Sequence, residues 1–553
     1  MKLSEHLVLF HFLLREFGYE NFNRLRDEFW DRELSYDSSG HSHYALNLIG
    51  KARISELAIK RYDTRIREYE HRLREHRNEP HFGLKYFQYF TLLFTEHLLT
   101  RLRDERDALL AELNAFRGSN ASYEGIAEIT DRDLKKLAFW MATGSGKTLL
   151  MHVHYWQMLS YFNKWENILL ITPNEGLSEQ HLKQFRLSGI PARRYLGSEE
   201  SLFGDKQEII IIEITKLTKR KKGEGVSIDV NHFSESRNLV FVDEGHKGSK
   251  SEDKTWKGLR QQLTAGEGSF TLEYSATFGQ IISRSSDDNF KEYAKAILFD
   301  YSYHNFYKDG YGKDFSVQVL EEDEYSDGQT KLLLTGGLLS FYEQLVLYER
   351  LPREMREYMI EKPLWAFVGS KVIGSDQKKL NVSETESASD VINVLNFLRG
   401  VLGNPAQFQA DMDIILDEKS GLLGAGGDDL FKDRHRHLKK YRPSAQDVIQ
   451  KVFHAVGEME ALRIKQADGE IGLRVKGANE WFGVINIGDA AKFSKKLEED
   501  TKGELVVTDE NFEETLFHNL ERESSTIHIL LGSKKFIEGW DSWRVSSMGL
   551  LNM

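Results

Sequence analysis

The sequence predicts an α/β protein with two doubly wound parallel-sheet domains, the second incomplete and carrying an insertion, behind an α-helical N-terminal region. Three observations carry that expectation. From Leu137 onward, short apolar runs closed by small, polar or proline-type breakers alternate with amphipathic helical stretches. A glycine-rich loop joins one such run to a helix. Before that point the periodicity is helical, with no strand-like alternation.

In the N-terminal region, expected over residues 1–130, Ile59, Tyr62, Ile66, Tyr69 and Leu73 recur at three- and four-residue steps between charged residues and mark one stripe of a long helix. Asn78, Glu79 and Pro80 end it. A second helix is expected from about Leu84 to Phe116, carrying the aromatic cluster "YFQYFTLLF".

The first α/β domain, expected over residues 134–307, rests on "KLAFWMA", "NILLITP", "QEIIIIEIT", "RNLVFVDE" and "GSFTLEYSAT". Runs of this length separated by helices imply strands buried on both faces of a parallel sheet. A connecting segment, 308–361, follows. The second alternation, 362–553, starts at "KPLWAFVGS", is interrupted at about 400–480 by an expected insertion with a glycine-rich stretch and a basic helix-like segment, and resumes with "FGVINIGD". A helix, "ELVVT", a helix through Leu520 and "IHILLGS" come next. No solenoid repeat is visible.

At 553 residues the chain has room for several domains. It contains no cysteine, which excludes disulfides, cysteine-ligated zinc, iron–sulfur clusters and thiol nucleophiles. The opening "MKLSEHLVLFHFLLREFG" is too interrupted for a signal peptide, and no apolar stretch of about 18 residues follows. The expectation is a cytoplasmic protein with no membrane partner. The net charge of −12 means that a nucleic-acid surface must be a local basic stripe on an acidic body. Thr215 to Gly223 and Asp433 to Arg442 are the candidates, a solvated charged face being the alternative for each.

"MATGSGKT", Met141 to Thr148, lies between a predicted strand and a predicted helix, the setting a phosphate-binding loop requires. Gly144 and Gly146, with Ser145 between them, let backbone N–H groups close on phosphate oxygens, and the helix directs its positive end at them. Lys147 is expected on the β/γ-phosphates of ATP and the Thr148 hydroxyl on Mg2+. Met141 stands where the strict pattern has glycine. Hydrolysis also needs carboxylates at a neighbouring strand tip. "NLVFVDEGHKG" supplies Asp243 for magnesium and Glu244 as general base, with His246 following.

In order and spacing these motifs resemble those of the superfamily 2 helicases, DEAD/DEAH-box relatives, and most closely the helicase (Res) subunit of type III restriction enzymes. "MATGSGKT" is similar to motif I, "ITPNEGLSEQ" to motif Ia, "EITKLT" to the Ib region, "DEGH" to motif II, "SAT" to motif III and "FIEGWD" to motif V. The resemblance implies RecA-like domains and an ATP- and Mg2+-dependent helicase or translocase acting on DNA, with a defence role and methyltransferase or nuclease partner subunits by analogy. It places Thr172, Pro173 and Thr215 along the nucleic-acid backbone and makes Ser275 and Thr277 couple hydrolysis to domain movement. It sets Gly539 and Asp541 toward the nucleotide and strand. Gln88 in "LKYFQ" resembles the glutamine that reads adenine, a polar residue on a helix being the alternative.

The arginine-bearing motif VI pattern of this family, Gln-x-x-Gly-Arg-x-x-Arg, does not occur, so the chain is expected to stop at "SSMGLLNM" before that motif and before the family's nuclease domain. Two other readings stay open. One is an ATP- and nucleic-acid-binding module without effective hydrolysis; the other is a nucleotide-gated scaffold whose helical arm recruits a partner. The histidines of "HRNEPH", His76 to His81, are better explained by a helix-ending turn than by a nuclease site.

Overall fold

The computed structural model describes residues 2–196, 207–218, 227–244, 253–279, 287–314, 317, 326–357, 360–369, 382–424, 426–467, 469–487, 489–511, 513–533 and 542–551. The chain divides into two units, Met1–Asp314 and Phe315–Met553.

The first unit opens with helices α1 (Val8–Glu16), α2 (Phe22–Phe29), α3 (His43–Leu48), α4 (Glu56–Arg77), α5 (Tyr86–Asp104) and α6 (Arg106–Gly118). Asn21, Ser42 and Ser55 cap α2, α3 and α4, each side chain accepting from the N–H three residues on. The stripe read from the sequence is the buried face of α4, and Asn78, at φ 54°, ends that helix. The second long helix is two. Glu105 leaves helical geometry, at φ −143° and ψ 37°, and the break turns Leu109 and Leu113 of α6 into the core.

A seven-stranded, wholly parallel sheet follows. Its strands are β1 (Lys136–Met141), β2 (Asn167–Thr172), β3 (Ala192–Arg194), β4 (Ile209–Glu213), β7 (Asn238–Asp243), β8 (Phe270–Ser275) and β9 (Ile297–Tyr301), in the order β3-β4-β2-β7-β8-β1-β9. β5 (Leu217–Thr218) and β6 (Ile228–Asp229) form a separate small pair. Helices α7 (Lys147–Tyr161), α8 (Glu175–Leu187), α9 (Asp253–Leu263), α10 (Asp287–Ala296) and α11 (Tyr303–Lys308) supply the connections. Alternate residues of the central strands enter different clusters: Ile168, Leu170, Leu239 and Phe241 join one core, and Leu169, Ile171, Val240 and Val242 join Leu259 and Leu263 of α9 in another. That two-faced burial is why the strands read as continuous apolar runs.

The N-terminal helices share the sheet's own core. Phe10 of α1 and Phe94 of α5 meet Phe299 of β9 at centroid distances of 5.2 and 5.5 Å, covering an edge strand that would otherwise be bare. The buried Asp309 carboxylate accepts from Arg26 Nε, Tyr86 OH and Tyr301 OH, each at 2.5 Å.

In the second unit the strands are β10 (Leu364–Gly369), β11 (Met459–Ile464), β12 (Glu470–Val475), β13 (Trp481–Asn486), β14 (Val507–Glu510), β15 (Ile529–Ser533) and β16 (Val545–Leu551), ordered β14-β11-β12-β13-β15-β10-β16. All neighbours are parallel except β11-β12 and β12-β13. The stretch expected as an insertion at about 400–480 therefore contributes two strands to this sheet. The helix expected after "ELVVT" and through Leu520 does not form among the described residues. There the buried Glu470 carboxylate accepts from Thr515 Oγ1 and the N–H groups of Leu516 and Phe517, which ties the chain into turns. Helix α12 (Asp327–Arg350) buries Leu338, Phe341 and Leu345 against Trp365 and Phe367 of β10. Buried Arg544 donates to the carbonyls of Lys362, Leu520 and Ile527 and so seats β16 beside β10. The basic segment at Asp433–Arg442 is spent on local acids: Lys439 bonds Glu418 and Arg442 bonds Asp417. That pattern fits a solvated charged face better than a nucleic-acid stripe.

Candidate nucleotide site

The glycine-rich loop joins β1 to α7 at the carboxyl edge of the first sheet. Gly144 and Gly146 take φ of 81° and 90°, a region that side chains resist. Ser145 is buried, its N–H and Oγ both donating to the Ala142 carbonyl at 3.1 and 2.7 Å. The loop thereby turns tightly and α7 starts at Lys147. The residue types match what a phosphate needs: free first-turn N–H groups, a helix dipole and a lysine.

β7 lies one strand, β8, away from β1, so the acidic pair is brought to the loop. Lys147 Nζ donates to Glu244 Oε1 at 3.3 Å. Glu244 itself sits at φ 55°, an uncommon conformation for a non-glycine residue. Asp243 Oδ2 accepts from His181 Nε2 at 2.9 Å and Oδ1 from the Glu244 N–H at 3.0 Å. Burial pushes the Asp243 carboxyl up, but the His181 hydrogen bond, the His181 and Lys147 charges and the Glu244 N–H outweigh it and hold the group below its ordinary range. A glycine-rich loop and a low-pKa carboxylate at the tips of strands separated only by β8 fit a nucleoside triphosphate with magnesium, and Thr148, half-buried on the first turn of α7, fits the same ion.

Thr172 and Pro173 end β2, adjacent to β7, and line one small cleft with Ile214, Asp243, Glu244 and Arg260. Thr172 Oγ1 is hydrogen-bonded to Ser178 Oγ at 2.7 Å, and Asn174 caps α8. Thr215 is exposed on the short 3-10 turn after β4. Ser275 ends β8, and its hydroxyl accepts from the Thr277 N–H at 3.0 Å. Trp140 of β1 donates to the Ala276 carbonyl at 3.1 Å, which ties this segment to the strand that delivers the loop.

Gln88 meets the loop from α5. It is buried under the loop, its Oε1 accepting from the Lys85 N–H at 2.9 Å and its Nε2 donating to the Ser145 carbonyl at 3.0 Å. Both ends of the amide are engaged by backbone, so Gln88 braces the loop where adenine reading had been expected. His246, Gly539 and Asp541 lie outside the described residues, as does much of the basic stretch after Thr218. Arg77 donates to Ser188 and Gln184, and the "HRNEPH" turn closes α4 with no metal-ligand cluster among the described residues.

Sequence reasoning missed His181 and Arg260. Neither belongs to the quoted motifs, and only the fold brings His181 to Asp243 and Arg260 to the cleft.

A parallel sheet with a glycine-rich loop after β1 and an Asp-Glu pair at the end of β7 is the arrangement that the resemblance to the superfamily 2 helicases implies. Residues 100–280 match the family model described as "Type III restriction enzyme, res subunit". The matched stretch contains the loop, Asp243–Glu244 and Ser275–Thr277. No curated protein matches the chain.

Solved structures similar to it include the UvsW helicase of bacteriophage T4, at 17% identity over 36% of this chain and 67% of that one, with a TM-score of 0.23. A second T4 UvsW structure aligns at 11% identity, 73% of this chain, 65% of that one and a TM-score of 0.24. Dbp5 of S. cerevisiae bound to RNA and ADP BeF3 aligns at 8% identity over 75% of this chain and 85% of that one, with a TM-score of 0.28. At these scores the overlays add nothing to the assignment, which rests on the family model and the motifs.

Proposed function

We propose that the chain is an ATP- and Mg2+-dependent motor of the helicase or translocase type that acts on DNA, as the helicase subunit of a restriction-like defence system. The observation that carries this reading is the Lys147–Glu244 ion pair at 3.3 Å beside Asp243. It supports the reading because the side chains suited to be phosphate-binding cation, general base and metal carboxylate lie together at the carboxyl edge of the first sheet.

Asp243 and the Thr148 hydroxyl would hold magnesium, which neutralises charge on the phosphate oxygens. The ammonium that bonds Glu244 is the one suited to the β/γ-phosphates. When Lys147 turns to phosphate oxygens, Glu244 Oε1 is released to orient water and take its proton. Thr172, Pro173 and Thr215 suit sequence-independent contact with a nucleic-acid backbone, because they stand at or just after the carboxyl ends of β2 and β4 and the first two line the cleft that holds the carboxylates. Ser275 and Thr277, hydrogen-bonded together and tied through Ala276 to β1, suit the coupling role. Partner subunits of methyltransferase or nuclease type follow from the res-subunit likeness.

The test is ATP turnover by the whole chain alone, with single-stranded DNA, with duplex DNA and with RNA. DNA-stimulated turnover supports the reading. Stimulation by RNA alone would replace DNA as the substrate, and tight ATP binding with no stimulated turnover would make the chain a binding module.

A further inference from the structure

His181 occupies the second turn of α8, three residues after Ser178. Its ring is 2% exposed. Phe185, one turn further on, lies beside it with centroids 6.1 Å apart, and Phe185 packs in turn on His152 of α7 at 4.5 Å. Within this apolar setting the ring makes one hydrogen bond, from Nε2 to Asp243 Oδ2, and Nδ1 is buried with no hydrogen-bond partner among the described residues. An apolar side chain would fill that volume without leaving a polar nitrogen buried and unpaired, which is unfavourable. What a histidine adds here is a donor aimed at one carboxylate oxygen.

We propose that His181 is the positioning residue of the magnesium site, fixing the carboxylate plane of Asp243 from α8. The inference rests on the reading of Asp243 as a magnesium-holding carboxylate. Asp243 stands at the carboxyl end of β7 with its side chain 10% exposed, and two donors fix its rotamer there. Oδ1 is held by the next residue's N–H and Oδ2 by His181, so both oxygens are set and their remaining lone pairs point in fixed directions. The helix that carries the donor is itself anchored at its start, where Asn174 caps it and Thr172 bonds Ser178. The residue that orients the metal carboxylate and the strand end proposed to meet nucleic acid are therefore parts of one rigid turn. Partners that orient metal ligands in this way typically change metal affinity about 10- to 100-fold when removed.

The test uses the full chain and a fluorescent ADP analogue, titrated with Mg2+ and in EDTA, for wild type, His181→Leu, His181→Gln and His181→Asn, with thermal midpoints beside them. His181→Leu keeps the packing and loses the donor; it is expected to raise the Mg2+ concentration at half-saturation about 10-fold or more and leave affinity in EDTA within about twofold. His181→Gln, whose amide N–H reaches as far as Nε2, is expected to recover most of the loss. The shorter His181→Asn is expected to behave like leucine, and the Gln–Asn pair decides the matter if His181→Leu does not fold. Half-saturation in Mg2+ within twofold of wild type for His181→Leu or His181→Asn would overturn the inference, as would equal loss in the Gln and Asn variants. Nucleotide binding by wild type that ignores Mg2+ would instead overturn the reading of the site itself.

Discussion

Replacing Gly146 with alanine tests the architecture of the phosphate loop. Gly146 holds φ at 90°, and a Cβ built there would stand 2.5 Å from Gln88 Nε2. The left-handed conformation costs a side-chain-bearing residue about 1–2 kcal/mol. Displacing the Gln88 amide forfeits its bond to the Ser145 carbonyl, worth about 1 kcal/mol. A loop with alanine relieves both by leaving this conformation, and phosphate must then restore it, so the cost appears as lost affinity. The total of about 2–3 kcal/mol corresponds to roughly 30- to 150-fold weaker nucleotide binding at about 1.4 kcal/mol per tenfold. The assay is titration of a fluorescent ADP analogue in Mg2+ across a double-mutant cycle with Gln88→Ala. Removing the amide removes the collision, so the double variant should bind more tightly than the two single losses predict, by about 1 kcal/mol. Losses that add within about 0.3–0.5 kcal/mol would show that the two residues do not meet as described. Affinity within threefold of wild type for Gly146→Ala alone would refute the argument outright.

Lys147→Ala should abolish nucleotide binding in the same titration, and Glu244→Gln should preserve binding while blocking turnover; normal hydrolysis by Glu244→Gln would remove it as the base. Asp300, buried at the end of β9, has its carboxyl pushed up to about 6 by burial, against an ordinary 3.8, with the Ser302 N–H opposing. A folded value above the unfolded one means that its favourable contribution is full below about pH 4 and is lost as pH rises through about 6, so Asp300→Asn should raise the thermal midpoint at pH 8 and not at pH 4. At about 1.4 kcal/mol per pH unit the ceiling is about 3 kcal/mol. A variant that gains equally at both pH values would contradict the assignment. Gly336→Ala in α12 should gain about 1 kcal/mol from helix propensity alone. Its Cβ would, however, stand 2.1 Å from Phe431 Cε1, so overpacking of about 1–3 kcal/mol should win and hydrogen-exchange protection across α12 should fall, with Phe431→Leu restoring it.

The elements that sequence reasoning found were those whose signal is local. The phosphate loop is contiguous, and the first sheet's strands are apolar on both faces, so each announces itself without knowledge of its neighbours. β11 and β12 stayed hidden because their outward positions, Glu460, Arg463 and Arg474, mix charge into "MEALRI" and "EIGLRV", and their antiparallel pairing breaks the alternation that identified the rest. Gln88 was assigned from its place before the loop, but a local reading cannot see that Lys85 and Ser145 occupy its amide. His181 gave no signal at all. Its partner is 62 residues away in sequence, and a lone histidine on an amphipathic helix reads as packing until the strand order puts β7 beside β2.

The placement of α5 gives the N-terminal helices a reason to share the nucleotide-binding unit. α5 is fastened to the loop and to α7 along its length. Gln88 holds the Ser145 carbonyl, Thr95 Oγ1 lies 3.4 Å from His154 Nε2, Glu96 accepts from Gln157 and Tyr161 at 2.8 and 2.6 Å, and Thr100 bonds Tyr161 at 2.8 Å. Burial pushes the Glu96 carboxyl up, with Tyr161, Gln157 and Arg65 opposing, so these bonds form where water does not compete and loss of one partner leaves a polar group stranded. α7 is the helix whose first turn the proposed function directs at the phosphates. Its axis is thus set by a helix outside the α/β alternation. The loop's geometry depends on residues some sixty positions upstream as much as on its own glycines. On the proposed function, a loop braced in this way would keep its N–H groups aimed while Lys147 exchanged the Glu244 carboxylate for phosphate oxygens, because the exchange would move a side chain and leave the helix where α5 holds it.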